Sequence, residues 1–145
     1  MKERWRRTTC DHNYEVSDRG RLRTYHVSSL KPALVRSTLN GGYPRVFLVG
    51  LGKRRYVHQL VAEAFIGPRP AGLVVCHGND IKTDNRLSNL SYGTRRQNAL
   101  DGVRNGTDKW RGSPAHKKQA IAALKKSRGW WKGKKRLGLR GKVAS

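Results

Sequence analysis

The chain has 145 residues, with 32 Lys and Arg against 9 Asp and Glu, which gives a formal net charge of +23 at pH 7. Hydrophobic residues make up 36% of the chain and there are 16 glycines, so we expect a small core with substantial irregular sequence. The charge predicts strong, salt-sensitive attraction to a polyanion. Nucleic acid is the first expectation, and an anionic membrane surface is the alternative.

Neither export nor membrane insertion is expected from the sequence. No apolar segment follows residues 1–7, which argues against a secretory signal. No run approaches the roughly 18 apolar residues that a membrane-spanning helix requires. The two cysteines, Cys10 and Cys76, are too few for a disulfide scaffold, and we expect free thiols in a reducing compartment, the cytoplasm.

The first 40 residues are typical of short strands joined by tight turns. Alternating segments at 14–17 and 21–25 flank the turn signal at 18–20, which predicts a hairpin with an arginine-rich face that includes Arg21 and Arg23. The Asn-Gly pair at 40–41 is a strong signal for a second hairpin.

The second hairpin continues into a helix. Val46 and Leu48 alternate with Arg45, Phe47 and Val49, and a turn at 50–53 leads to a returning strand with Arg54 and Arg55. From residue 58 to 65 the apolar residues follow a helical period. His58 lies on the apolar face of this helix, so we expect a buried, hydrogen-bonded histidine there rather than a catalytic one.

The central stretch reads as strand, loop, strand and helix. The strands are expected at 73–75 and 90–92, with a loop at 78–88 between them. Thr94 with Gln97 three residues later forms the capping-box pattern that begins a helix, and Asn105-Gly106 is its stop signal. Arg95 and Arg96 oppose the helix dipole in the first turn, which suggests a phosphate contact, with a solvated face as the alternative.

This unit is a plausible one-metal site for phosphodiester hydrolysis. His77 can accept a proton from water near neutral pH. A hard divalent cation, which prefers oxygen ligands, would stabilise charge on the phosphate, and Asn98 on the helix can offer an amide oxygen. We expect Asn89, 12 residues after His77, to hydrogen-bond the imidazole and fix its tautomer. A zinc site built from Cys10, His12 and Cys76-His77 fits no common finger spacing.

Residues 109–145 differ in composition from the rest. They hold 13 Lys and Arg and no acidic residue, with Trp130 and Trp131 among them. Basic residues interspersed with tryptophan fit attraction to a nucleic acid backbone together with stacking on bases. We expect an interaction tail, with a solubilising tail as the alternative.

Three motifs follow one another along the middle of the chain: YVHQLVAEAF at 56–65, CHGN at 76–79 and NRLSNL at 85–90. In this order and spacing they resemble the HNH endonucleases, most closely the branch found in phages and self-splicing introns. Trp5 and YEVSDRGRLR at 14–23 resemble the NUMOD-type DNA-binding motif that often precedes that nuclease core.

The resemblance implies an α+β chain with a ββα-metal nuclease core, also called a His-Me finger, and divalent-metal-dependent cleavage of DNA. His77 matches the general base that activates water. Asn89 matches the residue that positions it, and Asn98 matches the helix ligand of the metal. Mg²⁺ or Mn²⁺ is the expected ion, ahead of Zn²⁺.

One position departs from the family pattern. Directly before the base histidine the family usually has an aspartate, sometimes an asparagine, as the other metal ligand, and here that position is Cys76. A thiol is a poor ligand for magnesium. Three interpretations stay open: Asp80 or Asp101 takes the place of Cys76, a more thiophilic ion such as manganese or zinc is used, or metal binding is weakened.

We therefore predict a strand-rich DNA-binding motif at 1–40, an HNH nuclease core at 41–107 and a basic, Trp-containing tail at 108–145. The expected activity is metal-dependent nicking or double-strand cleavage of duplex DNA. We expect a monomer in the cytoplasm of a bacterium or a phage-infected host cell, with no membrane and no protein partner. The alternative function is a non-cleaving DNA-binding or regulatory protein on an HNH scaffold.

Overall fold

The computed structural model describes residues 2–25 and 31–106, together with Lys118, Gln119 and Ala122. The predicted tail at 108–145, with Trp130 and Trp131, lies outside the described residues apart from those three positions. The described part mixes strands and helices. Its strands are β1 (Trp5–Arg7), β2 (Tyr14–Ser17), β3 (Leu22–Thr24), β4 (Ala33–Leu34), β5 (Thr38–Asn40), β6 (Tyr43–Leu48), β7 (Lys53–Tyr56), β8 (Val74–His77) and β9 (Leu90–Gly93), and its helices are α1 (Val57–Phe65) and α2 (Arg95–Asn105).

The first sheet is antiparallel and has the strand order β1-β2-β3-β4. Its β2–β3 hairpin is the one that the sequence predicts, with Tyr14 opposite Thr24 and Val16 opposite Leu22. Val16 and Leu22 are buried, so one face of this small sheet packs on the core, while Arg23 lies on the other face opposite Glu15.

The second sheet has the order β5-β6-β7 and confirms the predicted Asn-Gly hairpin. Gly41 and Gly42 form its two-residue turn with φ of 58° and 83°, a backbone that glycine adopts without steric cost. Val46 and Leu48 are buried, whereas Phe47 between them is exposed. Strand β5 starts at Thr38, so the last residues of the predicted N-terminal motif pair into this second sheet.

Helix α1 follows β7 directly and confirms the helical period at 58–65. A single buried cluster joins α1 to both sheets and to β9. Its members are Tyr14, Val16, Leu22, Val46, Leu48, Val57, Leu60, Val61 and Leu90. Burial of each large aliphatic side chain contributes about 1.5–3 kcal/mol. The N-terminal strands and the central stretch therefore share one core.

The central stretch has the predicted order of strand, loop, strand and helix. Strand β8 starts one residue later than expected and runs on to His77, because its antiparallel pairing with β9 continues as far as His77 opposite Leu90. Thr94 and Gln97 form both hydrogen bonds of the capping box that begins α2. Gly106 ends the helix in the left-handed conformation at φ 69°.

The turn of the β2–β3 hairpin packs against the loop between β8 and β9. The backbone N–H of Leu87 donates to the carbonyl of Asp18 at 2.9 Å. Gly20, at φ +79°, lies so close to Asn85 that an added Cβ would be 2.8 Å from the Asn85 Cβ and 2.9 Å from its carbonyl oxygen. The first sheet therefore supports the loop that follows His77.

In the described ranges, neither helix has the length and apolar character needed to cross a membrane. Cys10 and Cys76 are both free thiols, as the sequence predicts.

We predict that Gly20→Ala destabilises the protein more than Gly52→Ala. Both glycines have positive φ, so both substitutions carry the left-handed strain of about 1–2 kcal/mol, but a Cβ at Gly52 meets nothing within 4 Å. The clash of the Gly20 Cβ with Asn85 adds to the loss, which urea denaturation would measure. Equal losses in the two variants would contradict the close packing of the turn on the loop.

Candidate active site

His77 is the last residue of β8, and its side chain is 5% exposed. Its Nε2 lies 3.0 Å from the side-chain oxygen Oδ1 of Asn85, which is also buried. An amide oxygen only accepts hydrogen bonds, so this contact places the ring proton on Nε2 and leaves Nδ1 with a lone pair. No hydrogen bond engages Nδ1 within the described residues, and this nitrogen is not fully buried.

The surroundings of His77 keep its imidazole neutral. Burial lowers the pKa of His77 below its ordinary value of 6.5, and nearby Lys82 acts in the same direction. The hydrogen bond that Nε2 donates to Asn85 and the carboxylates of Asp84 and Asp80 act the other way and favour the protonated ring. A base of this kind is unprotonated at neutral pH, while the charge that it gains on accepting a proton has partners close by.

The expected hydrogen bond between Asn89 and the imidazole is wrong, because Asn85 makes that bond. Asn89 instead closes the loop between the two strands. Its Oδ1 accepts from the backbone N–H of Asn79 at 3.0 Å, and its Nδ2 donates to Oδ1 of Asn79 and to the carbonyl of Asp84, each at 2.8 Å. Asn89 lies in a short 3-10 turn before β9, with its side chain directed into the loop rather than across the sheet. Its action on the site is therefore through the loop backbone.

Asp84 holds the other side of this loop. It accepts from Asn79 Nδ2 at 2.8 Å and forms a two-pronged ion pair with Arg86. The Arg86 guanidinium lowers the pKa of Asp84 to about 2, so this carboxylate stays charged over the physiological range.

An aromatic cluster forms the wall beside His77. The centroid of the Tyr43 ring lies 6.0 Å from the His77 ring and 5.2 Å from the His58 ring, and His58 stacks on Tyr56 at 5.5 Å. Lys82, from the loop, lies 4.7 Å from the centroid of Tyr43 and donates to the carbonyl of Gly41 at 3.0 Å. The second sheet and the loop after β8 are therefore joined next to the candidate base.

His58 is buried, as the helical period predicts, with its ring 5.2 Å from that of His77. The expected hydrogen bond is wrong for Nδ1, which is buried without a partner in the described part of the chain. Burial, together with the neighbouring His77, lowers the pKa of His58 to about 4, so this ring is neutral at physiological pH.

The residues expected to hold a metal differ in how well they suit one. Asn98 is half-buried on α2, and no hydrogen bond joins its amide to another described side chain, so its oxygen suits a hard cation. Cys76 is buried, and its sulfur lies only 3.0 Å from where a Cβ of Gly93 would be. A sulfur in that position does not fit Mg²⁺, which takes oxygen ligands.

The two carboxylates considered as replacements for Cys76 already have partners. Asp80 accepts from Nδ2 of Asn105 at 2.7 Å, and Asp101 pairs with Arg104 at 3.2 Å. Across the described ranges, no group of three or more His, Cys, Asp and Glu side chains is arranged to hold a metal ion. Amide and backbone oxygens would therefore have to contribute to any hard-cation site here.

The arginines predicted to bind DNA fall into two groups. Arg21 pairs with Glu3, Arg23 with Glu15, and Arg55 with both oxygens of Glu63 on α1. These three stabilise contacts within the protein. Arg54, Arg95 and Arg96 are exposed, with Arg54 lying over the ring of Phe47 at 5.9 Å.

Comparison with known proteins bears directly on this site. Residues 55–100, which run from β7 to the second turn of α2, match the family model of the HNH endonucleases. The match supports the HNH endonuclease family for this chain. It contains His77, Asn85, Asn89 and Asn98, the side chains that the structure gathers around the loop or places on α2.

Two curated HNH proteins of viral origin are similar to the chain. The uncharacterized HNH endonuclease L245 of Acanthamoeba polyphaga mimivirus is 30% identical over 114 residues, which is 75% of this chain and 32% of that protein. The DNA endonuclease I-HmuI of Bacillus phage SP01 is 35% identical over 97 residues, 66% of this chain and 54% of that protein. The chain thus spans about a third and about half of the lengths of these relatives.

A solved structure of I-HmuI, described as DNA binding and cleavage by the HNH homing endonuclease, shares the fold at a TM-score of 0.61 and 28% identity. The alignment covers 85% of this chain and 68% of that one. The NUMOD-type motif predicted at the N-terminus stays a prediction.

We predict that Asn85→Ala slows DNA cleavage by about tenfold to hundredfold, the effect of losing a hydrogen bond to the charged imidazolium that forms when His77 accepts a proton. A histidine that acts as a general base must be neutral, so the predicted rate falls as the pH drops through the pKa of His77, which lies below 6.5. Asn85 raises that pKa, and the variant should therefore shift the acid limb of the pH–rate profile to lower pH. Asn13→Ala, an exposed turn asparagine, is the control, and an unshifted limb in Asn85→Ala would contradict the role of this hydrogen bond.

We also predict that Cys76→Asp raises magnesium-dependent nicking, because a carboxylate replaces a thiol with an oxygen ligand. The measurement is plasmid nicking in Mg²⁺ and in Mn²⁺. Cys76→Ser, which adds a neutral oxygen, separates charge from size. Unchanged or lower activity of Cys76→Asp would count against position 76 as a ligand.

Proposed function

We propose that this protein is a divalent-metal-dependent HNH endonuclease that hydrolyses phosphodiester bonds of double-stranded DNA. The observation that carries the proposal is the state of His77: it is buried and neutral, and it is held by Asn85 through Nε2, while no hydrogen bond within the described residues engages Nδ1. An imidazole in this state is suited to take a proton from water.

In the proposed reaction, Nδ1 of His77 accepts the proton of a water molecule that attacks the phosphorus in line. The developing imidazolium keeps the Asn85 hydrogen bond on Nε2, and the carboxylates of Asp84 and Asp80 favour its charge. A divalent ion with Asn98 as an oxygen ligand would supply stabilisation of negative charge on the phosphate. By resemblance to the family, the products carry 5′ phosphate and 3′ hydroxyl ends.

Several features support duplex DNA as the substrate. The net charge of +23 favours a long polyanion, and Arg54, Arg95 and Arg96 are exposed cations on the second sheet and on α2. The basic tail with Trp130 and Trp131 would add backbone attraction and stacking. We propose a monomer that works in the cytoplasm of a bacterium or a phage-infected host cell.

The second candidate function is a DNA-binding or regulatory protein that no longer cleaves. The observation that favours it is the buried thiol of Cys76, which does not fit the ion that a family member would hold at that position. Binding of duplex DNA without cleavage in Mg²⁺, Mn²⁺ and Zn²⁺ would select this function.

We predict that His77→Ala lowers plasmid cleavage by about 10²–10⁴-fold, the usual contribution of a general base, while DNA binding is retained. The measurement is conversion of supercoiled plasmid in Mg²⁺ or Mn²⁺, beside gel-shift binding of the same DNA. His12→Ala, at an exposed turn position, should cleave at the wild-type rate. Equal cleavage by the wild type and by His77→Ala would rule out His77 as the base.

A further inference from the structure

The outer face of the second sheet, defined by Tyr43, Arg45, Phe47, Arg54 and Tyr56, leads directly to His77. Arg45 lies opposite Tyr56 and Phe47 lies opposite Arg54 in the β6–β7 register, while Val46 and Leu48 point to the core. The ring of Tyr43, at the end of this face, reaches the imidazole of His77 at 6.0 Å.

Arg45 is the member of this face that has a buried donor without an acceptor. Its Nε is buried and has no hydrogen-bond partner, and no ion pair joins its guanidinium to any residue within the described ranges. A buried donor without an acceptor costs free energy, so such groups are rare in folded proteins unless a ligand completes them. Arg55, on the neighbouring strand, is by contrast fully engaged by Glu63.

Two other basic side chains lie beside Tyr43, and neither offers a charge without a partner. Lys82 donates to the carbonyl of Gly41 and lies over Tyr43. His58, whose Nδ1 also lacks a partner, is neutral with a pKa of about 4. Arg45 therefore brings a charge to the edge of the site that no described residue neutralises.

The spacing along β6 fits a phosphate near the one that His77 would attack. Arg45 and Tyr43 are two residues apart on one face, which corresponds to roughly 6–7 Å along a strand. The guanidinium group presents a planar fork of N–H donors that matches the oxygens of a phosphate. A DNA strand laid over Tyr43 toward His77 would bring its backbone within reach of this fork.

We propose that Arg45 binds a backbone phosphate of DNA that flanks the phosphate attacked at His77. This inference rests on the proposed nuclease function, and it adds to that function a substrate-positioning cation from outside the central motif. Arg45 holds the strand in register with the base, and it takes no part in proton transfer.

The first measurement is binding of a fluorescein-labelled DNA duplex at several salt concentrations, with every variant made in the His77→Ala background so that no cleavage occurs. Arg45→Gln should weaken binding and reduce the slope of log K against log salt by about one, the value for one lost phosphate contact. Arg69→Gln is the matched control, because Arg69 is exposed in the connection between α1 and β8 and its loss removes the same charge.

The second measurement is single-turnover cleavage of supercoiled plasmid at saturating protein, with His77 intact. Arg45→Gln should slow cleavage by about tenfold to hundredfold, the effect of losing a hydrogen bond to a charged group, and Arg45→Lys should restore part of the rate. Arg69→Gln should cleave like the wild type. Thermal melting of each variant verifies that it is folded.

The inference is overturned if Arg45→Gln matches Arg69→Gln in both measurements. It is also overturned if the salt slope changes but cleavage at saturating protein does not, since the phosphate would then lie away from His77. Slower cleavage with an unchanged slope would equally exclude a phosphate contact. If the wild type fails to cleave, the proposed nuclease function fails by itself, and the salt slope alone decides whether Arg45 binds phosphate.

Discussion

The imidazole of His77 is held by a hydrogen bond to Asn85, and Asn85 is held in turn by a glycine 65 positions earlier in the chain. Gly20 leaves room for the loop after β8 because it has no side chain, and its neighbour Asp18 accepts the N–H of Leu87. The N-terminal sheet therefore supports the loop of the candidate active site, and this role does not depend on any contact with DNA. A nuclease core cut off at residue 41 would lose this support.

Charge on this protein has two uses that the sequence does not separate. Arg21, Arg23 and Arg55 form ion pairs with Glu3, Glu15 and Glu63. A large part of the few acidic residues therefore pairs with particular arginines of the protein itself. Ion pairs that are at least partly open to solvent contribute little stability, but they fix where the guanidinium groups lie. Cations without such partners are the better candidates for phosphate contacts. The outer face of the second sheet is therefore a better candidate for phosphate contacts than the first hairpin.

The thiol at position 76 is the group in the candidate site that suits a hard cation least. Burial lowers the pKa of His77 and the hydrogen bond to Asn85 fixes its tautomer, and both effects come from the protein itself, which suits the proposed role of His77 as the base. The ligands that a hard cation needs are less well provided. Position 76 holds a buried thiol beside Gly93, and the carboxylates Asp80 and Asp101 already bond to Asn105 and Arg104. The candidate site is therefore better suited to proton transfer than to stabilising negative charge on a phosphate through a metal ion.

The sequence by itself determined the local elements: the Asn-Gly hairpin, the period of α1, and the capping box that starts α2 at Thr94 and places Asn98 on its second turn. These depend on neighbours within a few residues, whose effects are visible in a linear pattern. The order and spacing of the motifs also predicted His77 as the base and a resemblance to the HNH endonucleases, which the match of residues 55–100 supports. Tertiary structure alone decided which amide binds the imidazole. Asn85 and Asn89 both follow His77 within a few residues, but Asn89 hydrogen-bonds to Asn79 and closes the loop, so Asn85 is the one that binds His77. It also decided which arginines are paired, because Glu63 reaches Arg55 only once α1 has packed on the sheet, leaving Arg45 on the opposite face.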